Sequence, residues 1–189
     1  MNRNQPFTGK IVVVIMTALI AAGCATNLSK PTRDPMPTKV KLSEFKNVEM
    51  KAVGISDSFA SAEANQKALR KIDEILFRDM NMLFQNFKRV EQGDDFSKTE
   101  ERTLQITPYI KEIKFVGGGA RFWVGAMAGS SAVLVQVTLR DSSNGEIIAD
   151  PEFYRSAGAY AGAWSIGATD NRMLEDIAQD IVKYCGFNK

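Results

Sequence analysis

The most informative absence in this chain of 189 residues is histidine, which does not occur at all. A chain without histidine has no Ser-His-Asp triad, no Cys-His pair and no histidine ligand for a metal. Cysteine is almost as scarce, because Cys24 and Cys185 are the only two and lie far apart in sequence. The number of cysteines alone does not decide whether Cys24 and Cys185 form a disulfide. We therefore predict a protein without catalytic residues, metal site or cofactor.

A strong charge of either sign is also missing. The chain has 24 basic and 22 acidic residues, which gives a formal net charge of +2. Residues 1–23 contain Arg3 and Lys10 but no acidic residue, so the remainder has 24 − 2 = 22 basic and 22 acidic residues. A neutral chain lacks the electrostatic footprint that nucleic acid requires. We expect no nucleic-acid partner.

The N-terminus has the pattern of an export signal. Residues 11–22, IVVVIMTALIAA, form an apolar run after the two basic residues. Twelve residues rise about 18 Å as a helix, which is short of the ~30 Å hydrocarbon core of a bilayer, so a cleaved signal is favoured over a spanning helix. The run leads into Gly23 and Cys24 and resembles the lipobox of bacterial lipoproteins, which implies cleavage before Cys24 and its acylation. The alternative is a plain signal peptide in which Cys24 is incidental.

The segment after this cysteine is typical of a tether. Residues 24–38 contain three prolines and almost no large apolar side chains. In lipoproteins of double-membrane bacteria, a residue other than Asp after the cysteine, here Ala25, implies sorting to the outer membrane. The sequence thus divides into a signal peptide over 1–23, a lipidated cysteine and tether over 24–38 and a single domain over 39–189. We expect the domain to face the periplasm.

Apolar periodicity predicts an α+β fold for this domain. Alternating apolar and polar residues predict strands, and apolar residues three and four apart predict helices. The expected order is β-α-β-β-β-α, with two helices covering one face of a small, mostly antiparallel sheet. The predicted elements are a strand over 40–55, a helix over 62–89, a strand over 104–115 that is bent or bulged at Pro108, a strand over 133–140, an Asn-Gly turn over 141–146 with a return strand, and a helix from Thr169 or Asp170 to Gly186.

Residues 117–131, GGGARFWVGAMAGSS, raise the question of a phosphate-binding loop. A Walker loop ends in Gly-Lys-Ser/Thr, but no lysine lies between Lys114 and Lys183, and a dinucleotide fingerprint needs glycine in place of Phe122. We therefore expect no nucleotide. The apolar run is also short for a membrane strand. The segment is interpreted as a connection in the sheet, in which Arg121 makes either a buried ion pair or a contact to a partner.

Three further side chains each have two interpretations. Cys185 is either a nucleophile or a buried structural residue, and the missing histidine favours the second. Tyr160 and Trp164 lie among glycines and alanines, where they would either stack on the sugar rings of a cell-wall glycan or fold back onto the sheet. The acidic stretch over 91–101 lacks the spacing of a calcium loop and is interpreted as a solvated loop.

The resemblance to a known family lies in residues 119–129 of the glycine-rich segment and in the turn over residues 141–145 that follows the alternating strand. These residues resemble a family of bacterial lipoproteins, catalogued as domain of unknown function 4410. The resemblance spans roughly residues 100–185. It implies an envelope location and a fold but no reaction, because the function of the family is unknown. The residues that carry it are Gly119, Arg121, Trp123, Gly125, Gly129, Asp141 and Gly145.

These observations favour a non-enzymatic, lipid-anchored protein of the cell envelope that binds envelope components or assembles with them. One alternative is a subunit that forms homo-oligomers in a secretion or export structure, because Gly125 and Gly129 form a small-xxx-small pattern. Another is a cell-wall glycan-binding domain that uses Tyr160 and Trp164.

Overall fold

A computed structural model of the protein describes Leu28 and residues 30–98, 100–115, 130–157 and 168–189. Within these ranges the chain forms seven strands, three α-helices and one 3₁₀ helix, Leu42–Glu44. The strands are β1 Asn47–Lys51, β2 Gly54–Ile55, β3 Phe87–Val90, β4 Thr103–Lys114, β5 Ser131–Asp141, β6 Ile147–Ala149 and β7 Glu152–Ala157; the α-helices are α1 Asp57–Ala60, α2 Glu63–Leu83 and α3 Ala168–Phe187.

The strands form one mixed sheet, whereas the sequence predicted a mostly antiparallel one. β1 lies between β3 and β4 and is parallel to both, and β2 continues beside β4 in the same direction. β5 is antiparallel to β4, and its other side pairs with β6 and β7. The α+β class is confirmed. The antiparallel arrangement is wrong, and the described element order is longer than β-α-β-β-β-α.

One of the parallel strands, β3, is hidden in the sequence pattern. Phe87 follows Leu83 and Phe84 at helical spacing, so the sequence pattern extends α2 too far. The helix instead ends at Leu83, and Phe84 turns the chain into extended conformation, with φ −115° and ψ 131°. Phe87 then packs beside Phe77 with the ring centroids 5.6 Å apart. Aromatic burial and pairing with β1 outweigh the helical pattern, since packing often overrides local propensity.

The connection from β3 to β4 crosses the outer side of β1, which is why two strands parallel to β1 flank it. The Ser97 N–H donates to the Glu49 carboxylate of β1 at 2.9 Å. Nearby, the Lys51 ammonium lies 5.1 Å from the centroid of the Phe96 ring. Part of the acidic stretch that was interpreted as a solvated loop is therefore docked on the sheet.

The helices α2 and α3 cover one face of the sheet, and the hydrophobic core lies between the two layers. Lys71 of α2 pairs with Glu175 of α3 at 3.3 Å, and about three turns later on both helices Leu83 lies beside Gly186. The two helices therefore run parallel and end at the same end of the molecule. Fully buried core residues come from both layers: Val48, Met50, Ile72, Leu76, Met80, Leu104, Ile106, Ile110, Val135, Val137, Leu139, Ile177 and Ile181.

Between β1 and β2 the strand is interrupted, and other elements supply hydrogen bonds to its backbone. The Ala52 N–H donates to the Val90 carbonyl at 2.8 Å. The Val53 N–H donates to one carboxylate oxygen of Asp73, on α2, at 2.8 Å. The other oxygen pairs with the Arg89 guanidinium of β3 at 2.6 Å. Asp73 thus joins the helix layer to two strands and satisfies a buried backbone donor.

The N-terminal segment is hydrogen-bonded to the end of α3. The Tyr184 hydroxyl donates to the Met36 carbonyl at 2.8 Å. The Thr38 N–H donates to the side-chain oxygen of Asn188 at 2.9 Å. The chain is therefore attached to the domain from Met36 onward.

Candidate functional site

Two residues of the family motif, Asp141 and Gly145, lie in the described part of the chain and build the turn after β5. Asp141 is 2% exposed, and one carboxylate oxygen accepts from the Ser143 N–H and hydroxyl at 2.9 and 2.7 Å. The other accepts from the Arg102 Nε at 2.7 Å. Gly145 has φ 72°, in the left-handed region that favours glycine. The predicted Asn-Gly turn is confirmed, and these two residues stabilise it.

The Asp141 carboxylate makes stability depend on pH. Burial alone would raise the pKa of Asp141, but the hydrogen bonds from Ser143 and the Arg102 guanidinium outweigh it and hold the pKa below its ordinary value. Such a group stabilises the fold above its unfolded pKa of about 4, and the contribution is lost as pH falls through the folded pKa. We expect Asp141→Asn to lower the free energy of unfolding by about 1–2 kcal/mol at neutral pH and to weaken its decline in acid, as measured by urea denaturation across pH.

Glu44→Gln is the matched control, because Glu44 pairs with the same Arg102 guanidinium at 3.0 Å from an exposed position. An exposed ion pair contributes roughly 0–1 kcal/mol, so this variant should change neither the stability nor its pH dependence by much. Equal effects of the two substitutions would show that the buried carboxylate of Asp141 has no special part in the turn.

The other predicted site residues lie outside the described residues. They are the cleavage and lipidation positions, the rest of the family motif and the two candidate glycan contacts: Gly23, Cys24, Gly119, Arg121, Trp123, Gly125, Gly129, Tyr160 and Trp164. The strand ends that border residues 116–129 and 158–167 lie within the described part of the chain. Lys114 of β4 pairs with Ala132, and Ser131 of β5 pairs with Ala157 of β7. These strand ends lie together at one end of the sheet.

Cys185 is a buried structural residue, as predicted. Its side chain has no exposed surface and its thiol is free. Burial raises the pKa of the thiol to about 12, so the thiol is protonated at neutral pH and is a poor nucleophile.

The sheet face opposite the helices is the candidate binding surface. Along β4 and β5, residues that point into the core alternate with residues on this outer side, and the cross-strand pairs place Thr107 beside Thr138 and Tyr109 beside Gln136. We call this surface the Tyr109 face. It comprises Gln105, Thr107, Tyr109, Gln136, Thr138, Arg140 and Asp150.

Tyr109 is a large side chain of this face and is 40% exposed, as is Ile147, which pairs with Arg140. Its ring lies against Gly54 of β2, where a Cβ atom would stand only 2.7 Å from the Tyr109 Cδ2. A residue larger than glycine would push the ring away. Gly54 thus allows the close approach of the tyrosine ring to the neighbouring strand.

Asp150 fixes the polar groups next to this ring. It follows β6, and its two carboxylate oxygens accept from the Gln136 amide at 2.6 Å and from the Thr138 hydroxyl at 2.7 Å. The Tyr109 face therefore presents an aromatic ring beside amide, hydroxyl and carboxylate groups held in defined positions. Such a set can bind a polar ligand through hydrogen bonds and ring contacts.

The described ranges contain neither a metal-binding cluster nor a membrane-spanning helix. No group of three or more Cys, Asp or Glu side chains in these ranges is placed to hold a metal ion. Among the helices of these ranges, none combines the length and the apolar character needed to cross a membrane.

Sequence reasoning missed Tyr109 although the pattern contained a signal. Gln105, Thr107 and Tyr109 alternate with core residues, which places them together on one side of a strand. The predicted bend at Pro108 obscured this pattern. In the structure Pro108 stays in register, and the shift in pairing falls between Ile110 and Glu112.

Comparisons with known proteins do not assign this chain to a family. No family model matches the chain, and no curated protein matches it. Among solved structures, the PelC dodecamer from Paraburkholderia phytofirmans is 11% identical over 84% of this chain and 94% of that chain, with a TM-score of 0.49. A Xanthomonas campestris protein of the family model DUF330 is 9% identical over 86% and 96%, with a TM-score of 0.46.

A minor lipoprotein from Acinetobacter baumannii is 10% identical over 74% of this chain and 93% of that chain, with a TM-score of 0.35. Because all three TM-scores lie below 0.5, no property of these proteins is transferred to this chain. Membership of domain of unknown function 4410 stays a prediction.

Proposed function

We propose that this protein is a non-enzymatic lipoprotein of the bacterial cell envelope. Cleavage before Cys24 and acylation of that residue would anchor it in the outer membrane, with the domain facing the periplasm. There the domain binds envelope components or assembles with them. The observation that carries the proposal is the lipobox-like sequence ending at Cys24.

The attachment of Met36 and Thr38 to the domain supports this proposal. Met36 follows Cys24 by 36 − 24 = 12 residues, which reach at most about 43 Å when fully extended. Because Met36 and Thr38 are hydrogen-bonded near the end of α3, an acyl group on Cys24 would keep this end of the domain within that distance of the bilayer.

Mass spectrometry of the protein purified from membranes tests the anchor. We expect an N-terminal peptide that begins at Cys24 and carries the mass of a diacylglyceryl group and a palmitoyl chain. A mature chain that begins at another residue, or that begins at an unmodified Cys24, would contradict the proposal.

A second function, binding of a cell-wall glycan, is favoured by the Tyr109 face. An exposed aromatic ring beside fixed amide, hydroxyl and carboxylate groups matches the alternating apolar and hydroxyl surfaces of a sugar. The glycan contacts expected from sequence, Tyr160 and Trp164, lie outside the described residues. Within the described residues the glycan would contact Tyr109, with Gln136 and Asp150 beside it.

We expect Tyr109→Ala to weaken pelleting of the mature protein with purified peptidoglycan roughly two- to tenfold, since aromatic contacts contribute about 0.5–1.5 kcal/mol. Gly54→Ala should act in the same direction, because the added methyl group displaces the Tyr109 ring. Met82→Ala is the control, because Met82 is an exposed apolar residue of α2 on the helix side. Pelleting that is absent in the wild type, or equal in all variants, would exclude this function.

A further inference from the structure

Two exposed apolar side chains lie beside the N-terminal segment. Phe187, in the last turn of α3, is 89% exposed, and Met36 is 71% exposed. Single exposed apolar residues are common on soluble proteins and need no explanation by themselves. These two differ because both lie where the chain that leads to Cys24 joins the domain.

Tyr184 brings the two residues near one another. Its hydroxyl binds the Met36 carbonyl, and it lines a groove of about 480 Å³ together with Phe187, Lys30, Arg33 and other residues. Met36 lines a second groove, which shares Arg33 with the first. We call the surface formed by Met36, Phe187, Lys30, Arg33 and Lys183 the anchor-side surface.

The anchor-side surface lies within a short reach of Cys24. Lys30 follows Cys24 by 30 − 24 = 6 residues, which span at most about 22 Å when extended. If Cys24 carries acyl chains in the bilayer, the groove shared by Lys30 and Phe187 lies close to the lipid headgroups. This step rests on the proposed lipid anchor.

The charge of this side suits an anionic lipid surface. Lys30 and Arg33 of the N-terminal segment line the groove, and Lys183 adds another positive charge to it. Basic residues next to a membrane anchor are attracted to anionic headgroups.

Acidic groups also line the groove, but two of the three are paired. Asp180 pairs with Arg155 at 2.5 Å, and Glu152 pairs with Lys111 at 2.6 Å. Asp34 is the third. After these pairs are set aside, Lys30, Arg33 and Lys183 outnumber Asp34 among the remaining charged groups of the groove, so its net sign is positive.

We infer that the anchor-side surface rests on the bilayer, with Phe187 and Met36 inserted among the lipid headgroups and the basic residues over anionic lipids. The opposite end of the helix layer then points away from the membrane. α2 has 21 residues, so its start lies about 30 Å from its end beside Gly186.

Fluorescent probes on single cysteines test this orientation. Cys185 is buried and Cys24 would be acylated, so an introduced cysteine is the accessible thiol of the folded lipoprotein. An environment-sensitive dye is attached to Phe187→Cys, to Met36→Cys and, as the control, to Ser61→Cys before α2. Met36→Cys keeps Phe187 in place. Each lipidated protein is then inserted into vesicles of phosphatidylethanolamine that contain about one-quarter phosphatidylglycerol, which is the anionic lipid.

We expect the emission of the dyes at positions 187 and 36 to shift to shorter wavelength and to rise severalfold, and to be quenched by nitroxide lipids. The dye at position 61 should remain aqueous. Vesicles of phosphatidylcholine alone, which carry no net charge, should give a smaller emission shift at position 187. An equal shift in both kinds of vesicle would show that the basic residues do not contribute to the contact with the bilayer.

Two outcomes would overturn the orientation in distinguishable ways. If the proteins float with the vesicles but positions 187, 36 and 61 behave alike, the anchor holds and the bilayer contact is wrong. If the proteins do not float with the vesicles, the lipid anchor is wrong, and the bilayer contact that rests on it is wrong as well. A shift seen in whole envelopes but not in vesicles would assign this surface to a protein partner and overturn the inference.

Discussion

Replacing Cys24 with alanine is expected to move the protein completely from the membrane fraction to the soluble fraction. Each buried methylene group of an acyl chain contributes ~0.8 kcal/mol, and stable anchoring requires more than one chain. The substitution removes the thiol that would carry the diacylglyceryl group. Residues 1–23 are replaced at the same time by a signal peptide with its own cleavage site, because an uncleaved apolar run over 11–22 would itself hold the chain in the membrane. Fractionation before and after washing with high salt and with carbonate measures the effect.

Cys185→Ala is the matched control for this experiment. It removes the other cysteine, which is buried in the core, and should leave the protein in the membrane fraction even where the loss of packing lowers its stability. If the Cys24→Ala protein remains with membranes after both washes, acylation of Cys24 is not what holds it there.

Replacing Asp73 with alanine is expected to lower the free energy of unfolding by about 3 kcal/mol, because it breaks a largely buried ion pair and leaves a buried donor unpaired. The substitution removes the acceptor of the Val53 N–H and the partner of the Arg89 guanidinium at once. We use the low end of the range for buried pairs because Arg89 keeps an ion pair with Glu91 at 2.8 Å. A loss of this size would lower Tm by roughly 6–12 °C.

Two variants make the Asp73 experiment specific. Asp73→Asn keeps an oxygen for the Val53 N–H but lacks the charge, so we expect an intermediate loss. Lys67→Gln breaks the exposed pair between Lys67 and Glu63 on the same helix, and we expect it to cost less than about 0.5 kcal/mol. Urea denaturation of all three proteins measures the differences. If Asp73→Ala is no less stable than Lys67→Gln, the link between helix and strands is not stabilising.

Sequence patterns predicted the parts of the fold that local chemistry decides. The alternation in β5, the stripe of apolar residues along α3 and the Asn-Gly turn each follow from side chains within a few residues of one another. Burial of Cys185 followed from its spacing on α3. The turn function of Asp141 and Gly145 was readable in the same way, from an Asx-type side chain and a glycine at positive φ.

Features that depend on distant contacts could not be predicted in this way. The pairing of β3 with β1 decides that Phe87 leaves the helical pattern, and nothing in residues 84–90 alone contains that information. The exposure of Tyr109 likewise depends on Gly54, which lies in another strand and meets it only after the sheet has formed. The attachment of the N-terminal segment requires Asn188, far along the chain from Thr38.

The bond between Thr38 and Asn188 joins residues 150 positions apart, and this separation would have a consequence for the proposed export. A chain that crosses a membrane N-terminus first delivers Thr38 long before Asn188. During that interval the segment after Cys24 has no partner on α3 and is free along its whole length. Closure over so many residues is slow and entropically costly, so the domain would settle against its anchor as one of the late steps of maturation.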